Sequence, residues 1–312
     1  MLSIYKTTEN HQLLTLEEIQ EGCWINLVDP TKEEIDYISA ALKIDEDHIR
    51  SVLDAEEMAR IDSEDDYTLI IVDVPTIEKE ATSEFFTTIP LAIIVTNTNE
   101  IVTICLKDLK ILENFLNNKI RDFYTFKRTR FIYQILFRNA TLFLHYLRLI
   151  DRASNRIEKE LHKSLKNKEL IQLLELEKSL VFFTTSLRSN EVVLEKLHRV
   201  EHIKHYKDDE ELLEDVIIEN KQAIEMSNIY SGILSGMMDA FASVISNNLN
   251  IVMKTLTSIT IVLSIPTLIA SLFGMNVPLP FKDTPNALLI LVILSFTVSL
   301  IAVIIMRRKN LF

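Results

Sequence analysis

Over the first hundred or so positions the apolar residues fall into short runs: Trp24–Val28, Thr68–Val74, Leu91–Thr96 and Ile101–Leu106. Their length and β-branched content predict strands. The last two flank Asn97-Thr98-Asn99-Glu100, which reads as a hairpin turn. Thr31, with Glu34 three residues on, forms a capping-box pattern for a helix running toward Leu42. Asp45-Glu46-Asp47 opens a second helix. The acidic run Asp62–Asp66 reads as a solvated turn before a strand, because consecutive side chains do not converge on one cation unaided. From Leu109 to Tyr206 the apolar spacing lengthens to three and four, with no glycine or proline. Phe131–Leu165 and Lys168–Arg199 predict an antiparallel helix pair joined near Lys166-Asn167-Lys168. A further helix begins near Asp208, where Asp208-Asp209-Glu210-Glu211 and Glu214-Asp215 suit the positive end of a helix dipole. Only Gly232, Gly236 and Pro266 break its propensity before Phe273. A helix of that length spans about 100 Å, which predicts partners, in the first place copies of itself.

The C-terminal part changes character. No charge occurs from Thr255 through Pro280, nor from Thr284 through Met306. Thr255–Phe273 and Ala287–Met306 each match the roughly 20 apolar residues that a helix needs to cross a bilayer. Between them runs Gly274-Met275-Asn276-Val277-Pro278-Leu279-Pro280-Phe281-Lys282-Asp283-Thr284-Pro285, and Pro285 suits the start of the second span. Both runs lie too far along the chain for a cleavable signal peptide. The expected fold is an α+β cytosolic domain, then long helices, then a two-helix transmembrane hairpin, assembled as a funnel-shaped homo-oligomer. The expected divisions are 1–107 (α/β), 108–207 (helical hairpin), 208–254 (stalk), 255–276 (first span), 277–285 (outer loop), 286–306 (second span) and 307–312 (basic tail).

Steps of three and four from Asp239 pass through Ser243, Ser246, Asn250, Met253, Thr257, Thr260, Ser264, Thr267 and Ser271, so nine of these ten positions are polar. A period of 3.5 keeps one seam turned toward a shared axis in a left-handed bundle. In an oligomer such a seam lines a water-filled path. The competing reading is packing, since membrane serines and threonines often bond their own helix or pack small against small. Ser258 lies off the seam, whereas packing alone does not require its continuation to Asp239 and Asn250, outside the apolar span.

The corner Gly274-Met275-Asn276 also has two readings. Gly274 permits a tight backbone, and Asn276 either caps the loop or contributes to a ring of amide oxygens. Mg2+ releases its water reluctantly, and neutral oxygens hold a hydrated ion without trapping it.

Composition narrows the functional class. The net charge of −12 falls in the part outside the uncharged spans and argues against a nucleic-acid partner. Only four glycines are present, at 22, 232, 236 and 274, so neither a dinucleotide fingerprint nor a phosphate loop can be assembled. The serine-hydrolase elbow is absent too. Cys23 and Cys105 sit in strand-like runs and read as buried thiols. His198, His202 and His205 share one helical face. Three imidazoles so placed could take zinc, but polar neighbours favour an exposed face.

Gly274-Met275-Asn276 at the end of the first of two C-terminal spans resembles the signature of the CorA metal-ion transporter family. The resemblance runs over the whole chain and includes Met253-Lys254-Thr255-Leu256-Thr257 and the tail Arg307-Arg308-Lys309. It implies a homopentamer in the cell membrane in contact with lipid, both termini cytosolic. Mg2+ would be the transported and regulatory ion, with Co2+, Ni2+ or Zn2+ as alternatives. Lys254 and the basic tail give the same orientation by the positive-inside rule. By resemblance Asn276 forms the outer selectivity ring with Gly274 and Met275. Asp239, Asn250 and Thr267 match pore positions, Met253 and Leu256 the hydrophobic constriction, and Asp215 a regulatory metal position between subunits. Three departures stand out. Phe273 replaces the usual tyrosine, Ser264 stands where a pore methionine is common, and Asp283 beside Lys282 replaces an acidic outer cluster.

The expected function is therefore a non-enzymatic channel taking up Mg2+ along the membrane potential and closing when internal Mg2+ is plentiful. Two alternatives remain open. One is a zinc transporter similar to ZntB, favoured by the histidine face; the other is a membrane-anchored sensor, which would not need a polar seam through the bilayer.

Overall fold

Among the described residues, seven strands pair into one mixed sheet in the order β2-β1-β3-β7-β6-β5-β4. They are β1 (Leu2–Thr7), β2 (Leu13–Leu16), β3 (Trp24–Val28), β4 (Arg60–Ser63), β5 (Tyr67–Lys79), β6 (Glu84–Thr96) and β7 (Ile101–Cys105). Only β3 and β7 run parallel; the other pairs are antiparallel. The computed structural model describes residues 1–79, 84–163, 167–197, 206–275 and 286–309. These form two compact units, residues 1–237 and 238–312.

In the first unit, alternate residues of each strand feed two separate cores. Leu69, Ile71, Ala92, Ile94, Val102 and Ile104 point to one face, where Ile35, Ile38 and Ile49 of helices α1 (Lys32–Leu42) and α2 (Glu46–Ser51) cover them. Ile70, Val72, Val74, Leu91 and Ile93 point to the other. That face is covered by α3 (Lys110–Leu116), α4 (Arg128–Lys163), α5 (Asn167–Leu197) and the first turns of α6 (Lys207–Phe273). The period of two therefore decides which helices each strand residue meets. Trp24 is fully buried on the second face against Phe115, Phe123 and Phe131. Its indole N–H donates to Thr103 Oγ1 at 2.8 Å, whose hydroxyl donates to Asn26 Oδ1 at 2.8 Å, so the polar atoms of the aromatic cluster are satisfied.

The local signals hold in detail. Thr31 and Glu34 form a reciprocal capping box, and α1 ends at Leu42 with Lys43 left-handed at φ 55°. Asp45 caps α2 by accepting the Asp47 N–H. The strands at 24 and 101 and the 97–100 turn appear where expected. The β5/β6 ribbon is longer than the sequence suggests, pairing from Tyr67↔Thr96 to Lys79↔Glu84 straight through Pro75 and Pro90. Strand β4 reaches only to Ile71 along β5, and β7 only to Leu91 along β6. Each proline therefore sits where the ribbon has a strand on one side only, the place where a missing N–H costs least.

Helices α4 and α5 are anchored to β5 through its Asp73 backbone. Asn139 Nδ2 and Asn190 Nδ2 donate to the Asp73 carbonyl at 2.8 and 2.9 Å, and the Asp73 N–H donates to Asn190 Oδ1 at 2.8 Å. Within the same unit α6 docks on α5 through Asn220 Nδ2 to the Leu187 carbonyl and a Thr184–Ser227 hydroxyl pair. Asp209 is buried and lies 3.8 Å from Arg130, so it does more than complement a helix dipole. Cys23 and Cys105 are both buried and free, in the two opposite cores.

The second unit holds the remainder of α6 and α7 (Ala287–Arg308). Each contains an 18-residue window apolar enough to cross a bilayer, with mean hydropathies of 2.0 and 3.1. Only 6% and 0% of those windows are buried, so the rest of the chain covers neither apolar stretch. Pro266 lies inside α6 and carries no N–H for the Val262 carbonyl.

Candidate functional site

The polar seam of α6 lies entirely within the second unit. Asp239, Ser243, Ser246, Asn250, Met253, Thr257, Thr260, Ser264, Thr267 and Ser271 are all exposed on the single chain. Off the seam, Ser258 is only 1% exposed, whereas Thr255 is half-buried and Asn247 and Asn248 are exposed. Ser258 therefore packs within the chain while every position of the seam stays open.

The hydroxyl directions sharpen the chemistry. Thr260 donates to the Leu256 carbonyl at 2.9 Å, Ser264 to Ile261 at 2.8 Å, and Thr267 to Leu263 at 3.3 Å. These are the self-bonds that a packing role would also use. They have a second effect, because a hydroxyl that has spent its proton on the backbone shows only acceptor lone pairs outward. The water shell of a divalent cation offers hydrogens outward, so a row of acceptors suits it. Thr260, Ser264, Thr267 and Ser271, with Leu263, Leu268 and Leu272, line a shallow open groove.

Met253 and Leu256 are 53% and 57% exposed. Both are available to face another copy as an apolar ring. Gly274 and Met275 are exposed at the end of α6, where the Gly274 N–H donates to Ala270 and Ser271 carbonyls. A Cβ at Gly274 would lie 3.4 Å from those same oxygens, at the near edge of ordinary van der Waals contact. Asn276 and the loop as far as Pro285 lie outside the described residues, as do His198, His202 and His205.

Asp215 is exposed on α6, beside exposed Glu211, Glu214 and Ile218 and half-buried Glu219, while Leu213, Val216 and Asn220 face the first unit's interior. Among the described residues no group of three His, Cys, Asp or Glu side chains is placed to hold a metal ion. Gly232 and Gly236 lie on the same helix with open space where a Cβ would stand. Sequence reading also passed over a basic cluster, Lys127, Arg128 and Arg130, at the start of α4; its signal was a first helical turn with no acid.

Known proteins resemble this arrangement over its full extent. A profile of the CorA-like Mg2+ transporter protein family matches residues 20–308. The chain is 30% identical over 301 residues to the cobalt/magnesium transport protein CorA of Methanocaldococcus jannaschii, covering 92% of this chain and 90% of that one. It is similar to the complete structure of the CorA magnesium transporter from the same organism at a TM-score of 0.86 and 26% identity, over 100% of this chain and 99% of that one. The cytoplasmic domain of ZntB from Vibrio parahaemolyticus shares the fold at a TM-score of 0.61 over 78% and 98% of the two chains. At 11% identity that likeness is one of fold alone.

Proposed function

The chain belongs to the CorA-like Mg2+ transporter family, and we propose that it admits Mg2+, with Co2+ as a second cargo, through a homopentamer in the cell membrane. The observation that carries this reading is the seam from Asp239 to Ser271, exposed at every position on a lone chain while Ser258 is buried. Copies of α6 arranged about an axis turn that seam inward, and the outward lone pairs of Thr260, Ser264 and Thr267 then meet the water shell of the ion. Met253 and Leu256 supply an apolar constriction that closes by dewetting. Gly274, Met275 and Asn276 stand at the outer mouth, where the Asn276 amide selects a hydrated divalent ion.

Residues 1–254 then belong to the cytosol, 255–276 and 286–306 to the membrane, and both termini to the inside. Lys254 and Arg307-Arg308-Lys309 flank the spans on the inner side. Moving two charges inward through about 100 mV releases about 4.6 kcal/mol, so uptake requires no nucleotide. Gating uses the exposed acidic face of α6. Mg2+ bridging Asp215 to a carboxylate of a neighbouring copy holds the assembly closed, and loss of that ion lets the carboxylates repel. Ni2+ and Zn2+ are candidate secondary cargoes; a zinc-specific reading draws support from fold likeness alone.

Reconstitution of the purified chain in liposomes, with Mg2+, Co2+, Ni2+ and Zn2+ offered side by side, tests the proposal. Mg2+ and Co2+ influx driven by an inside-negative potential, lost in Asn276→Ala, is the expected result. Wild-type influx in that variant would refute the pore assignment. Flux of Zn2+ without Mg2+ would establish the zinc reading, and no flux at all the sensor.

A further inference from the structure

A cavity of about 790 Å3 opens in the first unit at the start of α4. Four cationic side chains line it, Lys6, Lys127, Arg128 and Arg130, in a protein whose net charge is −12. Among the described residues the carboxylates that border it are Glu21 and Asp209. Glu21 accepts the Asn99 amide at 2.8 Å, and Asp209 stands 3.8 Å from Arg130. Glu100, which also acts on Arg128, is turned to the Thr96 and Thr98 hydroxyls at 2.5 and 2.6 Å. Among the described residues no carboxylate lies within ion-pair distance of Lys6, Lys127 or Arg128.

These cations are held at a cost. Arg128 is half-buried, reaches the Thr96 carbonyl at 2.6 Å, and has its pKa lowered by that burial. Arg130 Nε is shielded from solvent without a hydrogen-bond partner. Lys127 lies over the Tyr124 ring. All three stand in or next to the first turn of a 36-residue helix that has no acid there. The positive end of a helix favours anions, and cations there lower its stability. A local arrangement this unfavourable becomes favourable once an anion enters, because charge, orphan N–H groups and helix dipole then act together. Phe126 and Tyr206 at the rim are 45% and 55% exposed, which adds an aromatic surface beside the charged one. The volume exceeds what a lone tetrahedral anion fills.

We propose that this cavity is a cytosolic binding site for the phosphate group of a small anion, separate from the ion path and independent of the transport reading. Lys127 and Arg130 engage the phosphate oxygens, Arg128 supplies positive potential from the wall, and Phe126 and Tyr206 offer a surface for a planar substituent. Recognition here rests on side-chain cations and a helix end, which is why the absence of a glycine-rich loop does not oppose it.

Calorimetric titration of the full-length protein in detergent, with EDTA present so that metal cannot mediate binding, tests this directly. The probes are ATP, inorganic phosphate and adenosine. Saturable ATP binding that weakens about tenfold in Arg130→Gln, the loss expected for one charge-assisted hydrogen-bonded contact, is the predicted result. Lys127→Gln, a change at an exposed side chain, is predicted to act in the same direction. Tighter binding of ATP than of phosphate identifies a nucleotide as the ligand class; equal binding identifies free phosphate. Adenosine binding as well as ATP, no saturable binding of either anion, or ATP binding indifferent to both substitutions would overturn the proposal.

Discussion

Replacing Asp73 with asparagine offers a sharp test of the packing between sheet and helices. The Asp73 carboxyl is largely buried within hydrogen-bond reach of Ser186 on α5, and burial raises its pKa from 3.8 to about 6. The Ser186 hydroxyl donates to it and offsets only part of that rise. Its neighbours are otherwise neutral: Asn139 and Asn190 are committed to the Asp73 backbone, and the Thr88 hydroxyl pairs with Ser186. A carboxyl raised on folding binds more protons in the folded than in the unfolded state. Its contribution to stability is therefore complete below pH 3.8 and is lost as pH rises to about 6. Each pH unit across that interval is worth about 1.4 kcal/mol, giving roughly 3 kcal/mol as an upper value. Because Asp73 keeps some solvent contact, screening reduces this to about 2 kcal/mol. An asparagine side chain has the same shape, retains an acceptor for Ser186 and never ionises, and the backbone clamp is untouched. The expected outcome for Asp73→Asn is a melting temperature several degrees above wild type at pH 8, with the gap closing toward pH 4. Thermal unfolding of both full-length proteins in one detergent, at matched pH values, reads this difference. A gap that does not change with pH would refute the assignment, and so would a variant less stable at pH 8.

Other expectations concern the seam and its helix. Ser264→Val removes an outward lone pair worth about 1 kcal/mol to a passing water shell and should slow Mg2+ influx about fivefold. Ser258→Val should alter melting temperature with influx preserved, and the reverse pattern in liposome assays would reassign the seam. Gly236→Leu improves intrinsic helix propensity by up to about 1 kcal/mol, yet should reduce the assembled mass measured by light scattering if another helix approaches the space beside Gly232 and Gly236. Unchanged mass with a higher melting temperature would show that face to be solvated. Asp215→Ala should leave influx intact but make it persist at higher internal Mg2+, and an unshifted inhibition curve would remove Asp215 from the gating site.

Sequence pattern revealed those parts of the fold that are set by neighbours in the chain. Thr31 and Glu34 cap each other, Asn97–Glu100 turns one strand onto the next, and the two uncharged runs are long enough to read directly. Features set by distant partners were hidden. Pro75 and Pro90 looked like strand ends because the half-open ribbon that tolerates them is defined only by where β4 and β7 stop. Strands β1, β2 and β4 escaped notice because their residues are mostly half-buried and lack a continuous apolar run. The seam was legible as a period of 3.5, but only the fold distinguishes exposed Ser264 from buried Ser258. The cavity at Arg128 is assembled from residues as far apart as Lys6 and Tyr206, beyond the reach of any local motif.

The opposed placement of the two thiols has an experimental consequence. Cys23 and Cys105 have no solvent exposure, and burial holds both thiols protonated, with Cys105 pushed up to about 12. Maleimides and methanethiosulfonates react with the thiolate, so the natural chain is already silent toward them. A single cysteine introduced at Ser243, Ser246, Thr257 or Thr260 would be the only reactive handle on each subunit. Its labelling rate, with and without internal Mg2+, would report where water reaches the proposed path and at which level it is excluded.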